Sequence, residues 1–173
     1  VNVLKNYCEN NEVFAMASVQ LGIPFKIIYL KNAELDNTGS NTNEGVVLIN
    51  PEIIEERGKT YYWEGCGSRR VLAKVCRPYY VKVRYFNQEF EEKVTEFKDM
   101  YATVISHEYD HIFGIIHTDI ADEITDYPFS KRKEFRKKNG YMVVSKSCEY
   151  NHPLRGKYRL RTIENDEEYL RQV

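Results

Sequence analysis

The sequence has few cysteines and glycines, no long apolar run and almost no net charge. Four of its 173 residues are cysteines and nine are glycines. The cysteines form no Cys-x-x-Cys pair, so no dense disulfide framework is predicted and a reducing compartment is expected. No run approaches the ~20 apolar residues that span a bilayer, so no membrane partner is expected. The formal net charge of −1 gives no global reason to expect nucleic acid.

The length and the order of the segments predict one domain of the α+β class. An apolar fraction of 42% is typical of a globular chain with a sizeable core. Strand-like segments precede a central helix without regular alternation of strands and helices, which predicts mostly antiparallel sheets around a buried helix. The predicted strands are 26–30, 46–54, 59–68, 71–75, 79–86, 90–97 and 141–148.

The sequence predicts one main domain followed by a tail. We expect the domain to cover residues 1–150 and a polar C-terminal extension to cover 151–173, with a short helix at 164–172. A loop is predicted at 32–45, because it is rich in Asn, Thr and Gly. An exposed basic helix is predicted within 130–140.

The central helix carries a pattern typical of metal chemistry. It is predicted to run from Asp99 as N-cap to Gly114 after its C-terminus. His107 and His111 are four residues apart, so they share a face of the helix and can bind one metal ion. Glu108 lies beside the first of them, in the position of a general base. A lone buried histidine is usually a hydrogen-bonded core residue, but burying this whole set without partners would cost several kcal/mol.

A metal site needs a third protein ligand, and the residues offer two candidates. His117 completes the run "HEYDHIFGIIH", which matches the metzincin metalloprotease pattern. Cys66 lies in "WEGCGS", where flanking glycines would leave its thiolate free to bind a metal at ~2.3 Å. A cysteine is also often a small buried apolar residue. The local patterns leave both candidates open.

Three motifs, taken together, resemble the peptide deformylase family over about residues 5–120. The family's Gly-x-Gly-Leu-Ala-Ala-x-Gln corresponds to "VFAMASVQ" (13–20). Its Glu-Gly-Cys-Leu-Ser and His-Glu-x-Asp-His correspond to "EGCGS" (64–68) and "HEYDH" (107–111), in the same order. The family's continuation Leu-x-Gly-x-Leu-Phe-x-Asp aligns with "IFGIIHTD", which places His117 at an ordinary apolar position.

The resemblance implies an enzyme that removes the N-formyl group from formyl-methionine on nascent peptides. It implies one divalent metal ion bound by Cys66, His107 and His111. The family commonly uses Fe²⁺ and also works with Zn²⁺, Ni²⁺ or Co²⁺, and a Cys-His-His set does not select among them.

The resemblance also implies roles for residues around the metal. Glu108 would be the general base, and the side-chain amide of Gln20 and the N–H of Gly67 would stabilise the oxyanion. Asp110 would support the site or pack the helix. The residues expected to line the substrate cleft are Val13, Ala15, Glu64 and Arg69, with Glu64 also holding the loop of Cys66.

Four departures from the family pattern bear on the substrate cleft and the start of the helix. The two glycines of the first motif are Val13 and Ala15, the leucine of the second is Gly67, and the glycine at the start of the helix is Asp99. These departures predict altered specificity or slower turnover.

Alternative functions and locations also follow from the sequence. One alternative is a deformylase-like binding module without activity, which the retained Glu108 argues against, and another is a metzincin-like zinc protease that uses His117. The cations of 130–138 predict either a ribosome contact or a solvated helix. The altered motifs and the long tail favour an organellar protein over a bacterial cytoplasmic one.

Overall fold

One strand of 21 residues forms the axis of the fold in the computed structural model, which describes residues 1–31 and 45–155. The strands are β1 (Ala15–Ala17), β2 (Ile27–Leu30), β3 (Val46–Cys66), β4 (Arg69–Arg77), β5 (Tyr80–Phe86), β6 (Glu92–Lys98), β7 (Ala121–Thr125) and β8 (Met142–Glu149). The helices are α1 (Asn2–Asn10), α2 (Asp99–Ile112) and α3 (Arg132–Asn139). All paired strands are antiparallel, which confirms the predicted α+β class.

Strand β3 changes its neighbours along its length. Its first half pairs with β2 and β5, and its second half pairs with β8 and β4. The two strands predicted at 46–54 and 59–68 are therefore one strand, which bends at irregular registers and at Gly58. Its pairing with β8 ends at Tyr61, so among the described residues the edge of 62–66 opposite β4 has no strand partner. That open edge lies beside the cavity described below.

Helix α2 is buried in the middle of the molecule, as predicted. Ten of its 14 residues are buried, on more than one face. Its apolar residues pack with β1, β2, β3, β5 and β6 in one core, whose members include Leu30, Leu48, Val81, Val83, Phe97, Ala102 and Ile105. The polar residues of the same helix are consequently buried and need partners.

The two ends of α2 differ in how well the sequence predicts them. Gly114 follows the helix with φ +72°, as expected for a glycine after a C-cap. The prediction that Asp99 is the N-cap is wrong, because Lys98 is the N-cap and Asp99 is the first helical residue. Asp99 has φ +53°, a left-handed conformation that Asp tolerates better than most residues and that glycine adopts freely.

The C-terminal part of the described chain folds onto the sheet. Helix α3 and strand β8 confirm the predicted basic helix and last strand. Residues 32–44 and 156–173, with the predicted helix at 164–172, lie outside the described residues, so the boundary at residue 150 stays a prediction. In the described part of the chain, no helix combines the length and apolarity needed to cross a membrane.

Gly58 lets β3 pass close to its neighbours, and this predicts a stability difference between two glycine substitutions. A Cβ on Gly58 would lie 2.5 Å from the Cβ of Tyr79 and 2.8 Å from the carbonyl oxygen of Ser145. Gly58→Ala should lower the free energy of unfolding by about 3 kcal/mol through strain and overpacking. Gly22 also has positive φ but has no atom within 4 Å of an added Cβ, so Gly22→Ala should cost only about 1 kcal/mol. Urea unfolding of both variants measures the difference, and equal losses would contradict it.

Candidate metal centre

The end of β3 and the middle of α2 bring three metal-binding side chains together. The ligand atoms of Cys66, His107 and His111 all lie within 4.8 Å of one another. The Cys66 Sγ is 3.3 Å from Nε2 of His111. An irregular register between Gly65 and Cys66 ends the regular pairing of β3 just before the thiol. Among the described residues, these three side chains form the one cluster of His, Cys, Asp or Glu that could hold a metal ion.

The two histidines are oriented by acceptors behind them. His107 donates from Nδ1 to the Glu64 carboxylate at 2.8 Å, and His111 donates from Nδ1 to the carbonyl oxygen of Ile115 at 3.0 Å. Each Nδ1 is thereby occupied, so Nε2 is the ring nitrogen that remains to bind a metal ion in exchange for its proton, the arrangement that usually supports a ligating histidine.

The thiol of Cys66 is held in the form that binds metals. Burial by itself would raise its pKa, but hydrogen bonds with His107 and His111 outweigh burial and lower the pKa to about 4. The group is therefore a thiolate at neutral pH, which is the ligand form of cysteine.

His117 lies near the centre but faces another partner. Its Nε2 donates to the carbonyl oxygen of Val71 at 3.2 Å, and its ring centroid is 5.9 Å from that of His107. Burial lowers the pKa of His117, which keeps the ring neutral. His117 is not in the group of side chains whose ligand atoms lie within 4.8 Å of one another, so the geometry of the described residues does not support the metzincin alternative.

A buried ion network lies directly behind His107. The Arg77 guanidinium donates to both oxygens of Glu64, at 2.8 and 3.0 Å, and to the Asp110 carboxylate at 2.5 Å. Burial opposes ionisation of Glu64, but the charge of Arg77 and the bond from His107 lower its pKa to about 2. The central role of Arg77 was not predicted from the sequence, although an arginine that ends the apolar strand "VLAKVCR" is a signal that points to a buried partner.

The beginning of the C-terminal tail completes this network. His152 donates from Nε2 to Asp110 at 3.1 Å, and Arg155 donates from Nε to the other oxygen of Asp110 at 2.7 Å. The backbone N–H groups of Leu154 and Arg155 donate to Nδ1 of His152, which fixes the proton on Nε2. Arg155 also pairs with Glu56. No local sequence pattern predicts these contacts, because the partners are more than 40 residues apart.

A cavity of about 400 Å³ opens beside the three ligands, a size typical of small-molecule sites. Its lining mixes apolar and polar side chains and comes from α1, the segment 12–16, Gln20, the end of β3 with Gly67, α2 and Arg136 of α3. The predicted residues Val13, Ala15, Gln20, Gly67 and Glu108 all line it.

Two of the predicted cleft residues have other partners. Glu64 lines the cavity, but both of its carboxylate oxygens bond to Arg77 and one also accepts from His107, so it supports the site rather than binding substrate. Arg69 is not among the lining residues, and it donates to Thr118 Oγ1 at 3.1 Å. Substrate binding by Arg69 therefore stays a prediction that the lining of this cavity does not support.

Gln20 presents its amide to the site. Its Oε1 accepts from the N–H of Ala17 at 3.0 Å, so its Nε2 points to Ser68 Oγ at 3.1 Å and to Cys66 Sγ at 3.8 Å. The amide nitrogen therefore faces the region where an oxyanion would form.

The environment of Glu108 indicates that the site is suited to a metal ion with a bound water. Its Oε2 is buried without a hydrogen-bond partner among the described residues, although the residue lines the cavity. Burial also raises the pKa of this carboxyl group. An unpartnered buried carboxylate oxygen costs free energy unless a ligand or solvent group meets it. The Cys-His-His donors and this oxygen together fit a metal ion with a water beside the base.

The geometry predicts that only one of the two candidate third ligands matters for metal binding. Cys66→Ala should weaken the affinity for Zn²⁺ or Co²⁺ by more than about 100-fold, because it removes a thiolate ligand. His117→Phe should leave that affinity unchanged and lower only stability, because it leaves the Val71 carbonyl without its donor. Competition titration with a chelating dye measures both affinities. A loss of metal in His117→Phe, with retention in Cys66→Ala, would reverse the assignment.

Comparison with known proteins places this centre in a family. The family profile "Polypeptide deformylase" matches residues 1–126. The chain is 38% identical over 112 residues to peptide deformylase 1 of Clostridium acetobutylicum, covering 64% of this chain and 68% of that protein. It is 37% identical over 113 residues to the peptide deformylase of Cytophaga hutchinsonii, covering 64% of this chain and 61% of the relative. The crystal structure of peptide deformylase from Thermotoga maritima superposes with a TM-score of 0.59 at 26% identity, over 69% of this chain and 77% of the other. The aligned part thus spans roughly two thirds of the curated relatives' length, and the chain belongs to the polypeptide deformylase family.

Proposed function

We propose that the chain is a peptide deformylase, which hydrolyses the N-formyl group of formyl-methionine on nascent peptides. The observation that carries the proposal is the buried, unpartnered oxygen of Glu108 in the same cavity as the donors Cys66, His107 and His111. A site that only held a metal ion for structure would not need this base, so the geometry favours an enzyme over a binding module.

The metal ion is proposed to be held by Cys66, His107 and His111, with Fe²⁺ as the native metal. Zn²⁺, Ni²⁺ and Co²⁺ are the alternatives, because a Cys-His-His set binds several first-row metals and availability selects among them. When bound, such a metal supplies Lewis acidity, which lowers the pKa of water and polarises a carbonyl group. Metal analysis of protein purified without oxygen identifies the ion.

The proton transfers are assigned to Glu108. Burial raises the pKa of its carboxyl group, which makes it a better proton acceptor than an exposed glutamate. In the proposed reaction it takes a proton from the attacking water and then gives it to the leaving amine. The formyl carbon leaves as formate, and the peptide leaves with a free methionine amino group.

Two donors are proposed for the tetrahedral oxyanion. The first is the Gln20 Nε2, which the Ala17 N–H holds toward Cys66 through the amide oxygen. The second is the N–H of Gly67, which lines the cavity next to Cys66. Donors that are fixed before the reaction stabilise developing charge without reorganisation.

The remaining cavity suits an extended peptide that begins with an apolar side chain. Val13, Phe14, Met16, Met100 and Val104 provide apolar surface for methionine. The edge of β1 opposite β2 and the edge of 62–66 have no strand partner among the described residues, and both lie at the cavity. A peptide could therefore add as a strand between them, with its backbone hydrogen bonds satisfied.

The departures from the family pattern do not strain the backbone of the first motif, but they remove a side chain from the loop that follows Cys66. Neither Val13 nor Ala15 has positive φ, so replacing the two glycines does not by itself strain the chain. Gly67 has space around it, since an added Cβ would meet only Met16 Cε at 3.8 Å. We propose that the missing side chain leaves the oxyanion donor less firmly held and slows turnover.

The assignment of the base predicts the behaviour of Glu108→Gln. The amide is nearly isosteric and cannot accept a proton from water, so kcat for formyl-Met-Ala-Ser should fall by at least ~10²–10⁴-fold. The metal affinity should be unchanged, because Glu108 is not a ligand. Formate release measures the rate, and metal titration provides the control. Turnover close to that of the unmodified chain would show that Glu108 is not the base.

The loop proposal predicts a gain of activity from Gly67→Leu combined with Val13→Gly. The leucine should restrict the loop that carries the Gly67 N–H. Complete loss of an oxyanion donor costs about 2.7–4 kcal/mol, so firmer positioning should recover a fraction of that and raise kcat/KM a few-fold. Val13→Gly alone separates the effect of cleft width from that of the loop. A double variant no faster than the parent would show that these departures are neutral.

The cellular partners and compartment stay predictions. We propose that the exposed side chains Lys131, Lys133, Lys137 and Lys138 of the basic helix region contact ribosomal RNA, while Arg132 is buried in the domain. Salt-dependent co-sedimentation with ribosomes tests this proposal. An organellar location, rather than a bacterial cytoplasmic one, is tested by localising the tagged full-length protein.

A further inference from the structure

A guanidinium from helix α3 forms part of the cavity wall. Arg136 lines the cavity and is half-buried, unlike the exposed lysines on either side of it along the helix. Its Nη1 lies 3.9 Å from the point that a Cβ on Gly65 would occupy. Gly65 directly precedes Cys66, so this cation lies against the strand residue next to the proposed metal ligand.

The helix is fixed in place by the residues around Arg136. Arg132, one turn earlier, donates to the carbonyl oxygens of Tyr127 at 2.9 Å and Arg70 at 2.7 Å. Phe135 packs edge-on against Trp63, with ring centroids 5.2 Å apart. These anchors hold α3 against the end of β3, so the guanidinium is presented to the cavity by a rigid element.

Within the described ranges the Arg136 guanidinium has no hydrogen bond and no ion pair. Two of the three carboxylates that line the cavity have other roles: Glu64 bonds to Arg77 and His107, and Glu108 is the proposed base. The third, Glu12, is exposed and forms no ion pair within the described ranges. A half-buried guanidinium keeps donors for a planar anion and binds a carboxylate with two parallel hydrogen bonds.

We propose that Arg136 is a specificity residue that binds a carboxylate on one of the first residues after formyl-methionine. The chain would therefore prefer acidic formylated peptides. The identity of the substrate in this inference rests on the proposed function, whereas the binding of a carboxylate by Arg136 does not. The exposed lysines of the same helix add a positive field that attracts such peptides. The carboxylate comes from an Asp or Glu side chain, or from the C-terminus of a very short peptide.

The test compares peptides that differ in one charged group. The unmodified chain should cleave formyl-Met-Asp-Ala-amide or formyl-Met-Ala-Asp-amide about five- to tenfold faster in kcat/KM than the matching Asn peptide, as expected for a partly buried charged pair. Formyl-Met-Ala-Ala with a free C-terminus, compared with its amide, distinguishes a terminal carboxylate from a side chain. The preference should weaken at high salt.

Variants of the helix separate the subsite from general charge. Arg136→Ala should abolish the preference for Asp over Asn, and Arg136→Lys should keep part of it. Arg136→Glu should reverse it in favour of a Lys peptide. Lys137→Ala removes the same charge from the neighbouring exposed position, so it should keep the preference. An unchanged preference in Arg136→Ala, or no preference in the unmodified chain, would overturn the inference.

Binding measurements keep this inference separate from the proposed function. Calorimetry with the Glu108→Gln protein measures the Kd of the formylated Asp and Asn peptides without turnover. If both peptides are cleaved and bind equally, the subsite is wrong and the deformylase proposal stands. If neither is cleaved by the unmodified chain but the Asp peptide binds more tightly through Arg136, the subsite stands and the deformylase proposal fails.

Discussion

The buried guanidinium of Arg77 is the contact on which the centre depends. Its side chain is 1% exposed and joins Glu64, at the end of β3, to Asp110, on α2. Removing one partner from such a buried set usually costs about 3–5 kcal/mol, because a charge is left without compensation. The same contact orients His107 through Glu64, so the stability of the fold and the geometry of the ligand come from one interaction.

The beginning of the C-terminal tail extends this network through bonds to Asp110 of α2. Asp110 accepts from Arg77, His152 and Arg155, so both of its oxygens are satisfied although it is almost fully buried. Arg155 in turn pairs with Glu56 on β3. The Asp110 carboxylate is thereby bonded to two separate parts of the chain, the end of β4 and the C-terminal segment, and each bond restricts how the helix can shift. The ligands on α2 are positioned by packing and by this set of bonds together.

The sequence predicted the ligands better than their supports, for a physical reason. His107, Glu108 and His111 are close on one helix, so their spacing alone indicates their geometry. Arg77 and Arg155 bond to Asp110, which is 33 and 45 residues away from them in the sequence, and no sequence periodicity predicts contacts at such separations. The sequence also did not predict that β3 is continuous. The strand bends at Gly58 and at irregular registers, and in the sequence this region resembles a loop between two strands.

The region beyond the family match shapes both sides of the centre. The match ends at residue 126, yet Arg136 reaches the cavity, and His152 and Arg155 bond to Asp110 behind the ligands. The chemistry of hydrolysis depends on residues inside the match, whereas these three residues can change the peptides selected and the rigidity of α2 without altering a ligand or the base. Arg132 anchors the basic helix to the domain, and Arg136, one turn later, therefore faces the cavity. The proposed specificity of this chain therefore rests on tertiary contacts of its C-terminal part, whereas the proposed reaction rests on its motifs.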